Sequence, residues 1–373
     1  MLYLKFMKYW DKIKGIKKLP KTIVKEELKS LSKILLDLGY KLEENQPHIS
    51  GERVIMSINK LVLVGRNKEN KRVVVKCGKD RNKKNEILTE KKIRDYISNL
   101  DYTRGNILIP KEISVEKRDG YLFFITEYVE QEKIFVNHSP EEQFHMILRV
   151  LDGQEIFHLT TYKHIKEAQK IFNIWDSKKY IKNLKLMIEN INKKTNNFTE
   201  IKNILRDAQD TVSKNKTTID TYCCLLIHND LVPHNFRIND GQIYILDYSS
   251  IHFGNKYETL ARFINYMLIH NYRLSQRLIK FVKNKGQKEY ECLKIMRIYK
   301  IVFLLNYYLN LLGETSGNLS ELTRVRIKFW SLVLDFLMKD VEISEKDHSE
   351  YIKKRDSLRS EEEKERQREF AVA

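Results

Sequence analysis

The pattern of apolar positions changes character about a third of the way along the chain. Short alternating runs rich in β-branched residues predict strands at residues 53–58, 61–65, 72–76, 107–115 and 121–128. One helix, at about 82–99, is predicted among them because its apolar residues recur at helical spacing. The first third of the chain therefore favours a small unit of strands, then one helix, then strands.

Beyond residue 132, apolar residues recur almost wholly at helical spacing. The predicted helices are 141–159, 175–191, 199–212, 256–270, 276–282, 288–312 and 322–338. One β segment interrupts them. The apolar run 222–227 predicts a buried strand, and Asn239-Asp240-Gly241 is a hairpin turn signal before a returning strand at 243–246.

The two ends of the chain differ from this body. Residues 1–48 predict a helical extension, with apolar and aromatic residues near helical spacing in its first part and a second helix at 22–38. A basic amphipathic helix can contact a membrane surface, so peripheral contact through residues 1–20 is one interpretation, and docking on the small unit is the simpler one. Residues 343–373 are densely charged, which favours a solvated helix or a disordered tail.

Composition narrows the class of protein. A length of 373 residues with 42% hydrophobic residues suffices for two sizeable cores. No run of eighteen apolar residues or secretory signal is found, and the four cysteines lack zinc or disulfide spacing, so we expect a cytoplasmic protein with reduced thiols. The net charge of +18 is spread along the chain without a nucleic-acid-binding motif, and no nucleic-acid partner is expected.

The central β segment carries side chains that suit phosphoryl transfer. Asp230 and Asn235 follow the strand 222–227, and the hairpin brings Asp247 back beside Asn235. Asp230 can orient a hydroxyl group and accept its proton, while the Asn235 oxygen and the Asp247 carboxylate hold Mg²⁺ against nucleotide phosphates. Each residue type alone is common in turns, so the indication lies in their combination.

The run from His228 to Asn235, together with Asp247, resembles the catalytic segment of the aminoglycoside phosphotransferase and choline kinase family, which shares the protein-kinase-like fold. The resemblance implies a catalytic role for Asp230, Mg²⁺ ligation by Asn235 and Asp247, and a scaffold role for His228, which would brace the loop.

The same resemblance implies an α+β, two-lobe architecture. A small, β-rich, nucleotide-binding lobe would span residues 49–131, and a large helical lobe for catalysis and substrate binding would span 132–342. The extension 1–48 and the charged tail 343–373 would flank them.

Nucleotide contacts are assigned to the small lobe by this resemblance. Lys76, at the end of a predicted strand, resembles the lysine that contacts the phosphates. Glu90 on the following helix is its expected partner, with Glu86 one turn earlier as the alternative. The loop that contains Ser57 would contact phosphate oxygens.

The hinge between the lobes would bind the adenine of ATP. The run 123–129 resembles the segment that leads into this hinge, and it implies contacts from the Glu127 carbonyl and the Val129 N–H.

Two departures from protein kinases point to a small-molecule substrate. Leu231 and Val232 stand where protein kinases carry a Lys or Arg, and Asp247 is followed by Tyr-Ser-Ser instead of Phe-Gly. The expected activity is transfer of the ATP γ-phosphoryl group to a hydroxyl of a small molecule. The alternatives are a kinase of a membrane-linked headgroup or glycan precursor, and a pseudokinase or nucleotide-binding scaffold, although the intact trio of Asp230, Asn235 and Asp247 argues against the last.

Overall fold

A computed structural model describes residues 21–46, 60–99, 107–131, 133–162, 165–194, 199–361 and 363–364. The predicted helix and membrane contact within residues 1–20, the predicted strand 53–58 and Ser57 lie outside these residues.

Antiparallel strands form the sheet of the small lobe. In spatial order they are β1 (Lys41–Leu42), β2 (Leu61–Arg66), β3 (Arg72–Gly78), β6 (Tyr121–Glu127) and β5 (Glu112–Arg118). Helix α1 (Lys21–Asp37) covers one face, where Leu31 and Leu35 join a buried cluster with Leu63 and Phe123. The apolar runs of β3 and β6 are continuous because these central strands are buried on both faces.

The second face of the sheet positions the helix that carries the predicted acidic partner. Helix α2 (Arg81–Ser98) begins at Asp80, whose carboxylate accepts hydrogen bonds from the N–H groups of Asn82 and Lys83. Ile87 of α2 packs against Leu122 and Phe124 of β6. Packing thus fixes the rotation of α2 relative to β3.

The predicted strand 107–115 is wrong in one respect, because the chain there forms two strands. Strand β4 (Ile107–Leu108) runs parallel to a strand of the large lobe, and the chain then enters β5 at Glu112. Pro110 lies between them and lacks an N–H, so it cannot continue a ladder. The segment therefore ties the two lobes together.

The β segment of the large lobe contains the predicted hairpin. Strand β7 (Leu225–His228) leads to a 3₁₀ turn at Pro233–Asn235, then to β8 (Phe236–Asn239) and β9 (Gln242–Ile245). Asp240 and Gly241 both have positive φ, as a tight hairpin turn requires. The structure adds β10 (Ile251–Gly254), which pairs with β7 and was not predicted.

Helices make up the rest of the large lobe. They are α3 (Pro140–Tyr162), α4 (Ile165–Ile171), α5 (Ser177–Lys194), α6 (Thr199–Lys214), α7 (Lys216–Thr221), α8 (Lys256–Leu268), α9 (Tyr272–Lys285), α10 (Gln287–Leu312), α11 (Gly317–Met338) and α12 (Glu345–Leu358). Among the described residues, α10 alone is long and apolar enough to cross a bilayer. Since 67% of its apolar window is buried in the protein, α10 is best explained as a core helix.

The described part of the charged C-terminal segment forms a helix, which is one of the two predicted alternatives, but this helix is not wholly solvated. Helix α12 docks on α11, where the rings of Tyr351 and Phe329 stack with centroids 3.8 Å apart. Ile343 and Arg355 are also buried. These few buried side chains were not recognised in the sequence because charged residues surround them. They are nevertheless enough to hold an otherwise polar helix against the protein.

Candidate active site

The loop after β7 presents Asp230. Asn235 Nδ2 donates to the main-chain oxygen of Asp230 at 2.7 Å and to Asp230 Oδ2 at 3.2 Å. Arg262 Nε, from α8, donates to Asp230 Oδ1 at 2.7 Å. The carboxylate is thus held from both sides, yet its side chain keeps 40% exposure and is reachable from the cleft.

The hairpin places Asp247 beside this loop. Leu246 N–H donates to the Asn235 carbonyl at 2.8 Å, so the returning strand is joined directly to the loop. Asp247 adopts the left-handed conformation, with φ 54° and ψ 62°, which Asp tolerates better than most residues. Ser249 Oγ donates to Asp247 Oδ1 at 2.8 Å.

A buried ionic cluster forms the opposite wall. Glu90 of α2 is fully buried and forms an ion pair with Lys76 of β3. Lys60, the residue before β2, lies 2.9 Å from Glu90 Oε2 and 3.0 Å from Asp247 Oδ1. Glu86 contacts Lys60 at 3.2 Å. Of the two acids considered as partners for Lys76, the structure brings Glu90 against it and places Glu86 against Lys60.

Mutual charge sets the ionisation of this cluster. Burial alone would raise the pKa of Glu90, but the ammonium groups of Lys60 and then Lys76 hold it below its usual value. The same two lysines hold the pKa of Asp247 well below its usual range despite its burial. Burial lowers the pKa of Lys76, whereas Asp247 and Glu90 raise that of Lys60 well above its usual value. Both carboxylates are therefore ionised at neutral pH.

The oxygen atoms near Asn235 fit Mg²⁺. Since Asn235 Nδ2 donates to Asp230, the amide oxygen of Asn235 is the atom that can face a cation, and Asp247 supplies an ionised carboxylate. Mg²⁺ commonly takes one or two such ligands and completes its shell with phosphates and water. The ammonium group of Lys60 already lies next to Asp247 Oδ1, which shows that the position beside this oxygen attracts positive charge. A metal ion at Asp247 would compete with Lys60 for the same oxygen.

Solved structures share this architecture. A thermostable mutant of aminoglycoside phosphotransferase APH(4)-Ia has a TM-score of 0.58 and 11% identity, with 83% of this chain and 98% of that chain covered. Macrolide 2'-phosphotransferase type I has a TM-score of 0.55 and 9% identity, with 84% and 99% covered. Spectinomycin phosphotransferase APH(9)-Ia has a TM-score of 0.51 and 14% identity, with 82% and 98% covered.

The chain has the aminoglycoside phosphotransferase fold. No protein-family model and no curated protein matches its sequence. The two-lobe fold class predicted from the sequence is thereby confirmed, and the likeness is one of fold.

Within this phosphotransferase fold, a buried polar network lies behind the Asp230 loop. Lys300 of α10 donates to the Asn229 carbonyl at 2.9 Å and pairs with Glu258 of α8 at 2.6 Å. His252 Nε2 lies 3.3 Å from Glu258 Oε2, and Asn229 Nδ2 lies 3.2 Å from His252 Nδ1. Asn229, the residue that precedes Asp230, thus contacts two side chains, and Glu258 holds both of them.

This network assigns a role to Glu258, the second of the two acid and amide side chains at the start of α8 that could have capped the helix. Glu258 is not the cap of α8; the Asn255 side chain caps it by accepting from Tyr257 N–H at 2.9 Å. Tyr180 also donates to Glu258. Glu258 is therefore a buried anchor of the loop.

Glu258 should make the stability of the folded protein depend on pH in the acidic range. Burial alone would raise its pKa, but Lys300 and then His252 lower it to about 2 from an ordinary value of 4.5. Because folding lowers this pKa, the ionised carboxylate contributes to the free energy of unfolding, on the order of 3 kcal/mol in all. This contribution is complete above about pH 4.5 and is lost as the pH falls towards 2. We expect Glu258→Gln to destabilise the protein at pH 7 and to flatten this part of its stability profile, as measured by urea unfolding. Exposed Glu321→Gln is the control, and parallel profiles for wild type and Glu258→Gln would contradict the prediction.

The remaining predicted residues occupy two other places. His228 Nε2 donates to the Leu246 carbonyl at 2.9 Å, and burial lowers the pKa of its imidazole, which fits the scaffold role. Glu127 ends β6, where its side chain accepts from Lys111 N–H at 2.7 Å, and Val129 follows in the link to the large lobe. Adenine binding by these last two remains a prediction.

Sequence reasoning missed Lys60, Arg262 and Lys300. Lys60 belongs to the loop that was considered for phosphate contact, but the chain has 68 Lys and Arg residues, so one lysine does not stand out. Lys300 had a usable signal, because it interrupts the apolar run 298–302 within a core helix. Arg262 had none, since helical spacing does not reveal a contact with a loop 32 residues earlier.

Proposed function

We propose that this protein transfers the γ-phosphoryl group of ATP to a hydroxyl of a small molecule. The observation that carries the proposal is the meeting of Asp230, Asn235 and Asp247 opposite the buried Lys76–Glu90 pair. Similar solved structures hold ADP with hygromycin B and ADP with spectinomycin, which supports a nucleotide and a small acceptor in the same cleft.

Each residue then has a task. Lys76, held by Glu90, binds the nucleotide phosphates, and Asn235 and Asp247 hold Mg²⁺. Bound Mg²⁺ neutralises phosphate charge. Asp230 accepts a hydrogen bond from the acceptor hydroxyl and takes its proton as the new oxygen–phosphorus bond forms, while the bond from the γ-phosphorus to the bridging oxygen breaks and ADP leaves. Most of the rate enhancement comes from this positioning and from charge neutralisation.

The experiment is a screen of hydroxylated metabolites with ATP and Mg²⁺. Transfer is measured as ADP release and as the mass gain of one phosphoryl group on the acceptor. Asp230→Ala serves as the blank, and equal ADP release from this variant and the wild type would contradict the proposal.

The second candidate is a scaffold that binds a nucleotide without transferring a phosphoryl group. It is favoured by the ammonium of Lys60, which occupies the position at Asp247 where a metal ion would bind. Stabilisation by Mg·ATP, with no hydroxyl compound that accelerates ATP turnover, would favour this candidate.

Lys60 should weaken metal binding in the absence of nucleotide. A divalent cation at Asp247 must displace the ammonium from Oδ1, so we expect Lys60→Met to bind Mn²⁺ at least about tenfold more tightly than the wild type. Calorimetric titration with Mn²⁺ alone measures this effect. The control is Lys71→Met, a lysine beside β3 with a 75% exposed side chain. Equal affinities for wild type and Lys60→Met would show that Lys60 does not compete with the metal.

A further inference from the structure

The Asp230 carboxylate is flanked by a guanidinium group. Arg262 Nε donates to Oδ1, and its side chain is 20% exposed. If Asp230 acts as the proposed function requires, an acceptor hydroxyl at this carboxylate lies within a few ångströms of Arg262. The group next to the reacting hydroxyl therefore meets a fixed positive charge.

Next to Arg262, at the end of α8, a wall is formed by the rings of Tyr266, His270 and His234. The guanidinium of Arg262 lies 5.7 Å from the ring centroid of Tyr266. The Tyr266 ring lies 4.4 Å from that of His270 and 5.8 Å from that of His234, which belongs to the Asp230 loop. This wall adjoins the catalytic carboxylate on the side of α8.

More arginines lie behind the wall. Arg355 of α12 donates to the Ile269 carbonyl at 3.1 Å, next to His270. Burial lowers the pKa of His270, and four nearby positive charges lower it further, those of Arg355, Arg359, Arg262 and Arg326. The pKa therefore lies well below its usual value, and the imidazole is neutral. Asp356, which pairs with Arg355 at 2.7 Å, and the buried Glu363 of the same C-terminal segment offset part of this positive charge.

We propose that the acceptor carries an anionic group, a carboxylate or a phosphate, near the hydroxyl that receives the phosphoryl group, and that Arg262 binds it. A guanidinium has five N–H donors in a planar fork that matches carboxylate and phosphate oxygens, and Nε supplies just one of them to Asp230. A cationic group has no oxygen lone pairs with which to accept the hydrogen bonds of this guanidinium. The proposal rests on the proposed function and narrows it to a class of substrates.

The test uses acceptors that share a skeleton and differ in charge. Glucose, glucuronate, glucose phosphate and glucosamine form one series, and the corresponding forms of glycerol and ribose form two others. The full chain is assayed with Mg·ATP for phosphorylated product. We expect the anionic members to exceed the neutral ones at least tenfold in kcat/KM, and the amines to react least.

Variants assign the preference to Arg262. Arg262→Gln should raise the KM for the anionic acceptor at least tenfold and leave the KM for ATP unchanged, whereas Arg262→Lys should restore part of the preference. Arg273→Gln, an exposed arginine of α9, should behave as the wild type. Melting temperatures verify that the variants are folded.

Two failures can be told apart. The inference of an anionic acceptor is overturned if neutral or cationic members react with equal or higher kcat/KM. It is also overturned if Arg262→Gln keeps the charge preference of the wild type. Either result leaves the phosphotransferase function standing. If no member of any series gives product above the Asp230→Ala blank, the proposed function and the inference are both overturned.

Discussion

Asp230→Asn is expected to lower the rate of phosphoryl transfer about 10³-fold and to leave nucleotide binding intact. The amide has nearly the shape of the carboxylate, and its oxygen can still accept from Arg262. The 3.2 Å contact of Asn235 Nδ2 with the side chain is lost, but its shorter hydrogen bond to the main-chain oxygen remains, so the loop keeps its position. What is lost is the ability to take a proton from the acceptor hydroxyl. The side chain is 40% exposed, and a neutral group there costs little stability.

Single-turnover transfer and the rise in melting temperature with Mg·ATP measure the two properties separately. Asp207→Asn, an exposed acid on α6, is the matched control and should retain full activity. A rate for Asp230→Asn above one tenth of the wild type would exclude Asp230 as the base.

Glu90→Gln is expected to destabilise the folded protein by about 4 kcal/mol, because it removes the one fully buried carboxylate that contacts both Lys60 and Lys76. Two ammonium groups would then face a neutral amide in a region from which water is excluded. Burial already lowers the pKa of Lys76, so loss of its proton is the route by which the variant can relax. Urea unfolding measures the change in the free energy of unfolding.

Glu86→Gln is a sharp control for this effect. Glu86 lies one helical turn earlier on α2 and also contacts Lys60, but its side chain is 29% exposed. Water can replace much of that contact, so we expect a loss of no more than about 1 kcal/mol. Similar losses for both variants would contradict the claim that Glu90 holds the cluster.

Local patterns revealed much of the fold, because they report burial directly. The continuous apolar runs of β3 and β6 and the turn at Asp240-Gly241 are local features, and they were predicted. Strand β10 was missed because its four residues are recognisable only through their pairing with β7. The docking of α12 was missed because its contact with Phe329 depends on a partner in another helix.

The same distinction applies to the candidate site. The closeness of Asn235 and Asp247 follows from a hairpin, so it could be predicted from neighbouring residues. Lys60 reaches Asp247 across 187 residues, and no local spacing encodes such a contact. Lys60 and Arg262 could therefore not be assigned to the site from local patterns, whereas Lys76 and Glu90 were assigned through the family resemblance.

Lys60 also joins the two lobes. It precedes β2 of the small lobe, and its ammonium touches Asp247 and Ser249 of the large lobe. Under the proposed function, a metal ion held by Asp247 would take the place of the Lys60 ammonium at this contact between the lobes. The Lys60 side chain is 6% exposed and the Asp247 side chain is 32% exposed, so added salt should screen this ion pair only in part. The protein thus carries its own counter-ion for Asp247, a lysine that belongs to the other lobe.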